Sequence, residues 1–586
     1  MADARPGDSH PGTAAPEALQ RWAPGLALLL HYPRRWLFGD LASGLVLTAV
    51  LVPVGMGYAQ ASGVPAIHGL YATIIPLLAY AIFGPSRIMV LGPDSTLAAV
   101  IAALILPLAA GSPDRAVALA GALALLSGAC LLLIGFARLG MVADLFSKPV
   151  RIGFMNAIAL TVIVGQLPKV LGLAGRADGL VDQVQGLAQG LAAGQLNPVA
   201  TAIGIGSLAV ILLARRFRPR WPGVLLAVVV ATAVCVGFDL DRSAQVVVLG
   251  PMPQGLPTPR LPQVSWAEVM ALLPGAAIIA LLSFADTSVL SRALAARGRY
   301  RVQQDQEMLA LGVANILAGL CQGFSVSSSA SRTPVAEAAG ARSQLTGVVG
   351  ALAIAALLIL APNLLQHLPA ALLGAVVISA CLSFTDVAGM LKLYRQRRSE
   401  FVLSCISFLG VAFVGVIEGI LIAILLSLLV LVWSAWHPYS ATLVQVDGRQ
   451  GFHDVHRHPD GRYLPGLAIF RWDAPLFFAN AEIFGHRVMQ VVDASPSPLT
   501  GLIVAADAIT DIDLTAVDSL QDLLESLRLR GIALYFAGLK GPVKDRLGRC
   551  GLLAQIGEDH FASTVGSAVN RHRSRHPLDG QGSHAP

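Results

Sequence analysis

The stretch "GFSVSSSASRTPVAEA", residues 323–338, sets five serines, Thr333 and Arg332 among long apolar runs. A second polar interruption, "VLGPDST", spans residues 90–96. Hydroxyls and free helix-start amides donate hydrogen bonds, and a guanidinium carries a permanent positive charge. Together they suit the binding of a small anion. Each stretch reads as a short β-prone run followed by residues that start a helix. Pro93 fits a first helical turn, and Asp94, Ser95 or Thr96 can satisfy amides there. A helix start carries roughly +0.5 of an elementary charge. Two starts and Arg332 then amount to about +2. At an effective dielectric near 20, a unit charge pair ~4–5 Å apart is worth roughly 3–4 kcal/mol. Several such terms offset the dehydration of a small anion. Ser95, Thr96, Ser329, Ser331, Arg332 and Thr333 are therefore the expected anion ligands. The rival reading makes the serines caps of a broken helix and lets Arg332 snorkel to the interface.

Other polar groups within apolar runs divide between function and structure. Asp286, in "IIALLSFADTSVL", is expected to carry a coupling proton or sodium ion. The alternatives are a partner that neutralises Arg332 and an aspartate bonded to nearby hydroxyls. Asp94 is either a helix-start stabiliser or part of the coupling site. Asn156, Gln166 and Asn315 read as bonds between helices, and Glu337 and Glu418 as residues near span ends. "HDVHRHPD" (His453, His456, His458) has a metal-loop composition, but its flanking Gly451 and Gly461 favour a solvated hairpin, so no metal is expected. No nucleophile–base constellation or phosphate loop stands out, so neither enzyme activity nor a cofactor is expected.

These residues need a membrane around them. Only 13% of the 586 residues are charged, against about 25% in soluble chains. Apolar runs long enough to cross a ~30 Å hydrocarbon core recur from Leu41 to Trp436. Spans are expected at 41–60, 67–84, 93–109, 116–136, 149–171, 197–214 and 222–238. A second set is expected at 269–291, 305–322, 330–345, 347–361, 366–383, 401–415 and 417–436. Seven plus seven, an odd number per half, makes an inverted repeat. The polar interruptions fall at the third span of each half, so the two helix starts converge at mid-membrane, where only protein or a cavity can cover irregular backbone.

Basic residues gather in alternate loops: Arg138, Lys148, Arg151; Arg215, Arg216, Arg218, Arg220; Arg292, Arg297, Arg299, Arg301; Lys392, Arg395, Arg397, Arg398. The positive-inside rule places these loops and both termini in the cytoplasm, in a cell inner (plasma) membrane. Charges spaced as membrane flanks exclude a nucleic-acid footprint. Cys130, Cys235, Cys321, Cys381, Cys405 and Cys550 show no metal or disulfide spacing. The expected organisation is a cytoplasmic tail and interfacial segment (1–35), a transmembrane domain (36–438), a linker (439–464), a small α/β domain (465–572) and a disordered tail (573–586). In the α/β part, "GLAIFRW", "PLFFANA", "GLIVAADA" and "IALYFAGL" read as strands, and "LTAVDSLQDLLESLRLRG" as a helix.

"GLYATIIPLLAYAIFGPSRIMVLGPDS", "RYRVQQDQEMLALGVANILAGLCQGF" and "SSSASRTPVAEAAGARSQLTG" resemble the SulP family, bacterial relatives of solute carrier family 26. "DAPLFFANAE" and "DLTAVDSL" resemble that family's STAS domain. The resemblance spans roughly residues 35–570. It implies a polytopic α-helical membrane protein of about 14 spans, with uracil-permease-like core and gate domains, plus a C-terminal α/β STAS domain, assembled as a homodimer. It implies an anion bound between the starts of the third and tenth spans, with Ser331 and Arg332 at the family's Ser-Arg and Asp286 at its acidic, cation-coupling position. Thr515 lies where related STAS proteins carry a phosphorylatable serine. Four positions depart from the pattern: Val54, where a glutamine is common, and Ser325, Ser328 and Ala330. The implied activity is secondary active sulfate transport coupled to H+ or Na+. Bicarbonate or C4-dicarboxylate transport, anion exchange, nucleobase transport and STAS-led membrane signalling are the alternatives.

Overall fold

The computed structural model describes residues 22–138, 147–173, 180–217, 223–252, 255–298, 300 and 302–576. Residues 1–21 of the expected tail and interfacial segment (1–35), residues 577–586 of the expected tail (573–586), and Arg218, Arg220, Arg299 and Arg301 lie outside the described residues, while 573–575 are corrected to the end of the helix Val565–Arg575. The chain divides into two compact units at Ser427 and Leu428.

The first unit is helical. Its first half runs α1 (Leu37–Ala61), α2 (Ala66–Phe83), β1 (Leu91–Gly92), α3 (Ser95–Ala109), α4 (Pro113–Phe136), α5 (Lys148–Leu171), α6 (Leu180–Ala192), α7 (Pro198–Phe217) and α8 (Gly223–Gly237). Its second half runs α9 (Trp266–Gly298), α10 (Gln304–Leu320), β2 (Ser327–Ser328), α11 (Arg332–Ala338), α12 (Leu345–Leu360), α13 (Ala370–Phe384), α14 (Val387–Gln396) and α15 (Arg398–Leu409), and α16 (Val416–Trp436) follows. Among the described residues a helix falls at each of the fourteen expected spans, and seven helical runs are long and apolar enough to cross a membrane. Two further helices, α6 and α14, follow the fifth span of each half. Their apolar residues keep to one side, as in "LVDQVQGLAQGLA" and "VAGMLKLYRQ", the pattern of helices lying along an interface.

The contacts between halves come in exchanged pairs. α1 packs on α12 as α9 packs on α4, α10 packs on α4 as α2 packs on α12, and α15 packs on α5 as α7 packs on α13. Such reciprocity is what a two-fold relation between repeats requires. The closest approach runs through glycines. A Cβ on Gly128 would lie 2.7 Å from the Gly312 carbonyl, and one on Gly319 would lie 2.5 Å from that of Gly121. Bare backbones let α4 and α10 pack at a spacing any side chain would prevent. Asn156 ties α5 to the turn before α14, accepting from the Asp386 amide at 2.7 Å and donating to its carbonyl at 3.2 Å.

One expected span is corrected. Residues 330–345 are helical only over the seven residues of α11, roughly 10 Å at 1.5 Å per residue. The extended approach through β2 covers the remaining depth.

The second unit is a six-stranded sheet of order β4-β3-β5-β6-β7-β8. Its strands are β3 (Ser440–Gln445), β4 (Phe452–Asp454), β5 (Leu467–Trp472), β6 (Gly501–Ala505), β7 (Ala533–Ala537) and β8 (Phe561–Ala562). β5, β6, β7 and β8 run parallel, while β3 pairs antiparallel with β4 and β5. Side chains alternate between two covered faces, the signature of a buried parallel sheet. Phe470, Trp472, Val504 and Phe536 meet α17 (Ala481–Asp493) and α18 (Leu514–Leu529). Ile469, Ile503 and Tyr535 meet the last helix, Val565–Arg575. Two expectations fail here. The supposed linker 439–464 supplies β3 and β4, which form the hairpin carrying His453 and His458. "PLFFANA" is not a strand: Pro475 has no amide to donate, and Asn480 folds the chain back by accepting from the Phe477 amide and donating to the Pro475 carbonyl, both at 3.0 Å. Leu476 keeps a single bridge to Ile512.

The last helix docks through His572, which is 3% exposed. Its Nε2 is 3.2 Å from the Thr500 hydroxyl and its Nδ1 has no partner. Burial, with His576 and His560 nearby, pulls its pKa down from 6.5 to about 4. A histidine whose folded value lies below its unfolded one costs nothing above pH 6.5, where both states are neutral. As pH falls from 6.5 towards 4 the unfolded state binds the proton first, so stability declines across that window and levels off below it. Protection factors of the amides in residues 565–575 of the full chain, taken relative to the intrinsic exchange rate at each pH, should fall between pH 7 and pH 5, and His572→Phe should remove most of that fall.

Candidate functional site

β1 and β2 pair antiparallel, Leu91 with Ser328 and Gly92 with Ser327. The two-residue ladder joins the approaches to α3 and α11. Each strand is short because the chain must turn at once into a helix. Asp94 makes that turn for α3, its Oδ2 accepting from the Thr96 amide at 3.0 Å. Ser329 makes it for α11, its hydroxyl accepting from the Arg332 amide at 3.1 Å. Thr333 closes the seam, its hydroxyl accepting from the Val90 amide at 3.1 Å.

Arg332 is 1% exposed, among the largest fully buried side chains of the protein. Nη2 donates to the Pro93 carbonyl at 2.5 Å, whereas Nη1 has no partner. The guanidinium therefore lies against the start of α3 and does not snorkel to an interface. Gly92 makes this approach possible: at φ +154°, a Cβ there would stand 3.0 Å from Nη1. Asp94, half-buried, is the carboxylate that acts on Arg332, and Tyr58 faces Ser95, Asp94 and Arg332. Ser95 and Thr96 are buried at 3% and 2%. Thr96 touches Met155 on α5, its hydroxyl 3.7 Å from the sulfur. Ser331 is exposed beside Ser329, with 3.3 Å between their hydroxyls.

The structure thus gathers Asp94, Ser95, Thr96, Ser329, Arg332 and Thr333 around one seam. It also reassigns the donors. The Thr96 and Arg332 amides are taken by the Asp94 and Ser329 side chains, the first as the expected role of Asp94 at a helix start. Among the seam's side chains, Nη1 of the guanidinium is a buried donor without a partner. An unpaired buried guanidinium N–H costs several kcal/mol unless something accepts from it.

Asp286 sits half-buried on α9 with no hydrogen bond or ion pair among the described residues. It lies within electrostatic reach of Asp94 and Arg151, so it does not neutralise Arg332. The next two hydroxyls, Thr287 Oγ1 and Ser288 Oγ, are buried without partners. Glu337 pairs with Arg297 at 3.1 Å and Glu418 is exposed.

Asn315, expected to bridge helices, instead grips the backbone leading into β2. It accepts from the Val326 amide at 2.8 Å and donates to the Val326 carbonyl at 3.1 Å. Ser283 donates to the same carbonyl at 2.9 Å, and Ser325 bonds Ser127 at 3.0 Å. Two of the departing positions thus have settled roles: Ser325 in that bond, and Ser328 in the ladder. A cavity of about 820 Å³ lies apart from the seam, between Ala99–Pro107 of α3, the far end of α5 and α6. Neither Arg332 nor Asp94 lines it.

Residues 37–407 match the sulfate permease family, and residues 458–568 match the STAS domain. A probable sulfate transporter of Mycobacterium tuberculosis is 39% identical over 94% of this chain and 98% of its own. Human solute carrier family 26 member 6 is 30% identical over 80% of this chain and 64% of its own. Among solved structures, the murine Slc26a9 anion transporter in the inward-facing state superposes with a TM-score of 0.86, at 23% identity, over 96% of each chain. The transmembrane domain of the cyanobacterium bicarbonate transporter BicA gives a TM-score of 0.59 at 23% identity, over 68% of this chain and 98% of that one. At these identities the two structures speak for the fold alone.

Proposed function

This chain belongs to the sulfate permease family, and from that premise we propose that it is a sulfate permease coupled to protons or sodium. The single observation that carries the reading is Arg332: a fully buried guanidinium with one committed and one uncommitted nitrogen, held at the seam between two repeats. A tetrahedral oxyanion offers the acceptors that Nη1 lacks, and Arg geometry suits such oxygens. Ser95, Thr96, Ser329, Ser331 and Thr333 supply hydroxyls around it. Asp94 opposes an incoming anion and holds the guanidinium's charge while the site is empty. Asp286, with the two idle hydroxyls beside it, takes the coupling cation; carboxylate and hydroxyl oxygens suit Na+, and a carboxylate alone suits H+. Transport then proceeds by alternating access around a fixed site, in a homodimer in the plasma membrane with the STAS domain cytoplasmic.

Sulfate is favoured over bicarbonate because the 39% identical relative carries that name over nearly its whole length. The second reading is bicarbonate or a C4-dicarboxylate at the same guanidinium. Uptake of radiolabelled sulfate into proteoliposomes, with bicarbonate, succinate and fumarate as competitors at two pH values, tests the choice. Saturable sulfate uptake, weakly inhibited by the other three, is expected. Strong competition by bicarbonate at sub-stoichiometric sulfate would reverse the assignment.

A further inference from the structure

A fully buried acid stands behind the segment that leads into the seam. Glu307, in the first turn of α10, is 0% exposed. The Tyr80 hydroxyl donates to its Oε2 at 2.6 Å and the Ser86 hydroxyl to its Oε1 at 2.5 Å. It has no ion pair among the described residues. The nearest basic side chain on that loop, Arg87, lies over the Tyr300 ring at 5.1 Å. A carboxylate buried without a cation is costly, so its two hydroxyl donors have to be held in place.

Those donors sit on different elements. Tyr80 belongs to α2, while Ser86 belongs to the irregular segment that runs from Gly84, at the end of α2, into β1. Side chains hold that segment at each step. Gln306 donates to the Phe83 carbonyl at 3.2 Å, and Gln344 donates to the Ser86 and Met89 carbonyls at 2.8 and 2.9 Å. Thr333 then takes the Val90 amide. Two residues later come Gly92 and Pro93, whose backbone meets the guanidinium. Without regular structure, the path of this segment is set by those contacts.

We infer that Glu307 is a positioning residue for the anion site, acting through the Ser86 hydroxyl on the segment that presents Gly92 and Pro93 to Arg332. This rests on the reading of that seam as the anion site. The carboxylate touches no anion; it sets the distance at which Pro93 engages Nη2 and leaves Nη1 directed at the ligand. Binding geometry of this kind is sensitive to displacements of about 0.5 Å.

The two donors allow a test that separates positioning from bulk stability. Both Ser86→Ala and Tyr80→Phe remove one bond to Glu307, but only the first detaches the segment. Radiolabelled sulfate uptake by the full chain in proteoliposomes should show KM raised about tenfold in Ser86→Ala, with maximal rate within twofold of wild type. Tyr80→Phe should leave KM within twofold. Glu307→Gln, which keeps an acceptor oxygen for Ser86, should stay within about threefold. Unchanged KM in Ser86→Ala, or equal shifts in Ser86→Ala and Tyr80→Phe, beside a saturable wild type, would overturn the inference alone. Failure of the wild type to show saturable uptake of any of the four anions above would overturn the anion-site reading and this inference with it.

Discussion

Arg332→Ala is expected to abolish saturable sulfate uptake while leaving a folded protein. The guanidinium is the only group at the seam that combines full burial, a fixed positive charge and an unused donor. Truncating one partner of a buried, hydrogen-bonded charge pair in a complex costs about 2–5 kcal/mol, which at 1.4 kcal/mol per decade is roughly 30-fold to several thousandfold in affinity. Asp94 would also lose its counter-charge, and the Pro93 carbonyl its donor, so an anion would meet net repulsion. Arg332→Lys keeps the charge but not the planar fork; it should recover part of the uptake with a raised KM. Initial rates over a range of sulfate concentrations, with the thermal midpoint of the purified protein alongside, measure both. Wild-type sulfate affinity in Arg332→Ala would exclude the residue from the site.

Asp286→Asn should flatten the dependence of uptake on pH or sodium without comparable loss of sulfate binding. The acid stands on α9 apart from the guanidinium, unpaired, with Thr287 and Ser288 offering idle oxygens. Asparagine keeps the size and one oxygen acceptor but neither takes up a proton nor carries the negative charge that holds a cation. A wild type whose rate changes about tenfold across the accessible pH or sodium range should become nearly flat, and sulfate accumulation against its gradient should fail while exchange of bound anion persists. Wild-type pH and sodium profiles in the variant would assign coupling elsewhere. Asp94 also acts on Asp286 electrostatically, so under the proposed assignment a ligand at either place changes the field felt at the other.

The two repeats explain why the site has this form. β1 and β2 exchange backbone hydrogen bonds where neither α3 nor α11 has begun, and so satisfy amides and carbonyls that lipid would leave bare. The supports on the two sides differ in chemistry. A carboxylate, two amides and a hydroxyl hold the approach to β1, whereas Asn315, Ser283 and Ser127 hold the approach to β2.

Much of this was legible in the chain itself. Apolar run length dictates spans, because a backbone in hydrocarbon must close its own hydrogen bonds, and the count of seven in each half follows from that alone. The rarity of charge in those runs singled out Arg332, Asp94 and Asp286, since burying an ion without purpose is costly. Period and turn residues likewise announced β5, β6, β7 and α18. What the chain left undetermined depended on partners distant in sequence. Glu307 sits in a hydrophilic-looking helix start, "QQDQEM", and nothing local says that Tyr80 and Ser86, more than 200 residues away, will enclose it. Asn315 reads like any polar residue of a helix until Val326 folds back onto it. The freedom of an amide or a guanidinium nitrogen is also a tertiary property, because it depends on which neighbour accepts first. Residue type and spacing therefore determined that an electropositive break exists, and only the folded arrangement decided that the guanidinium keeps a donor to offer while the Thr96 and Arg332 amides are taken by Asp94 and Ser329.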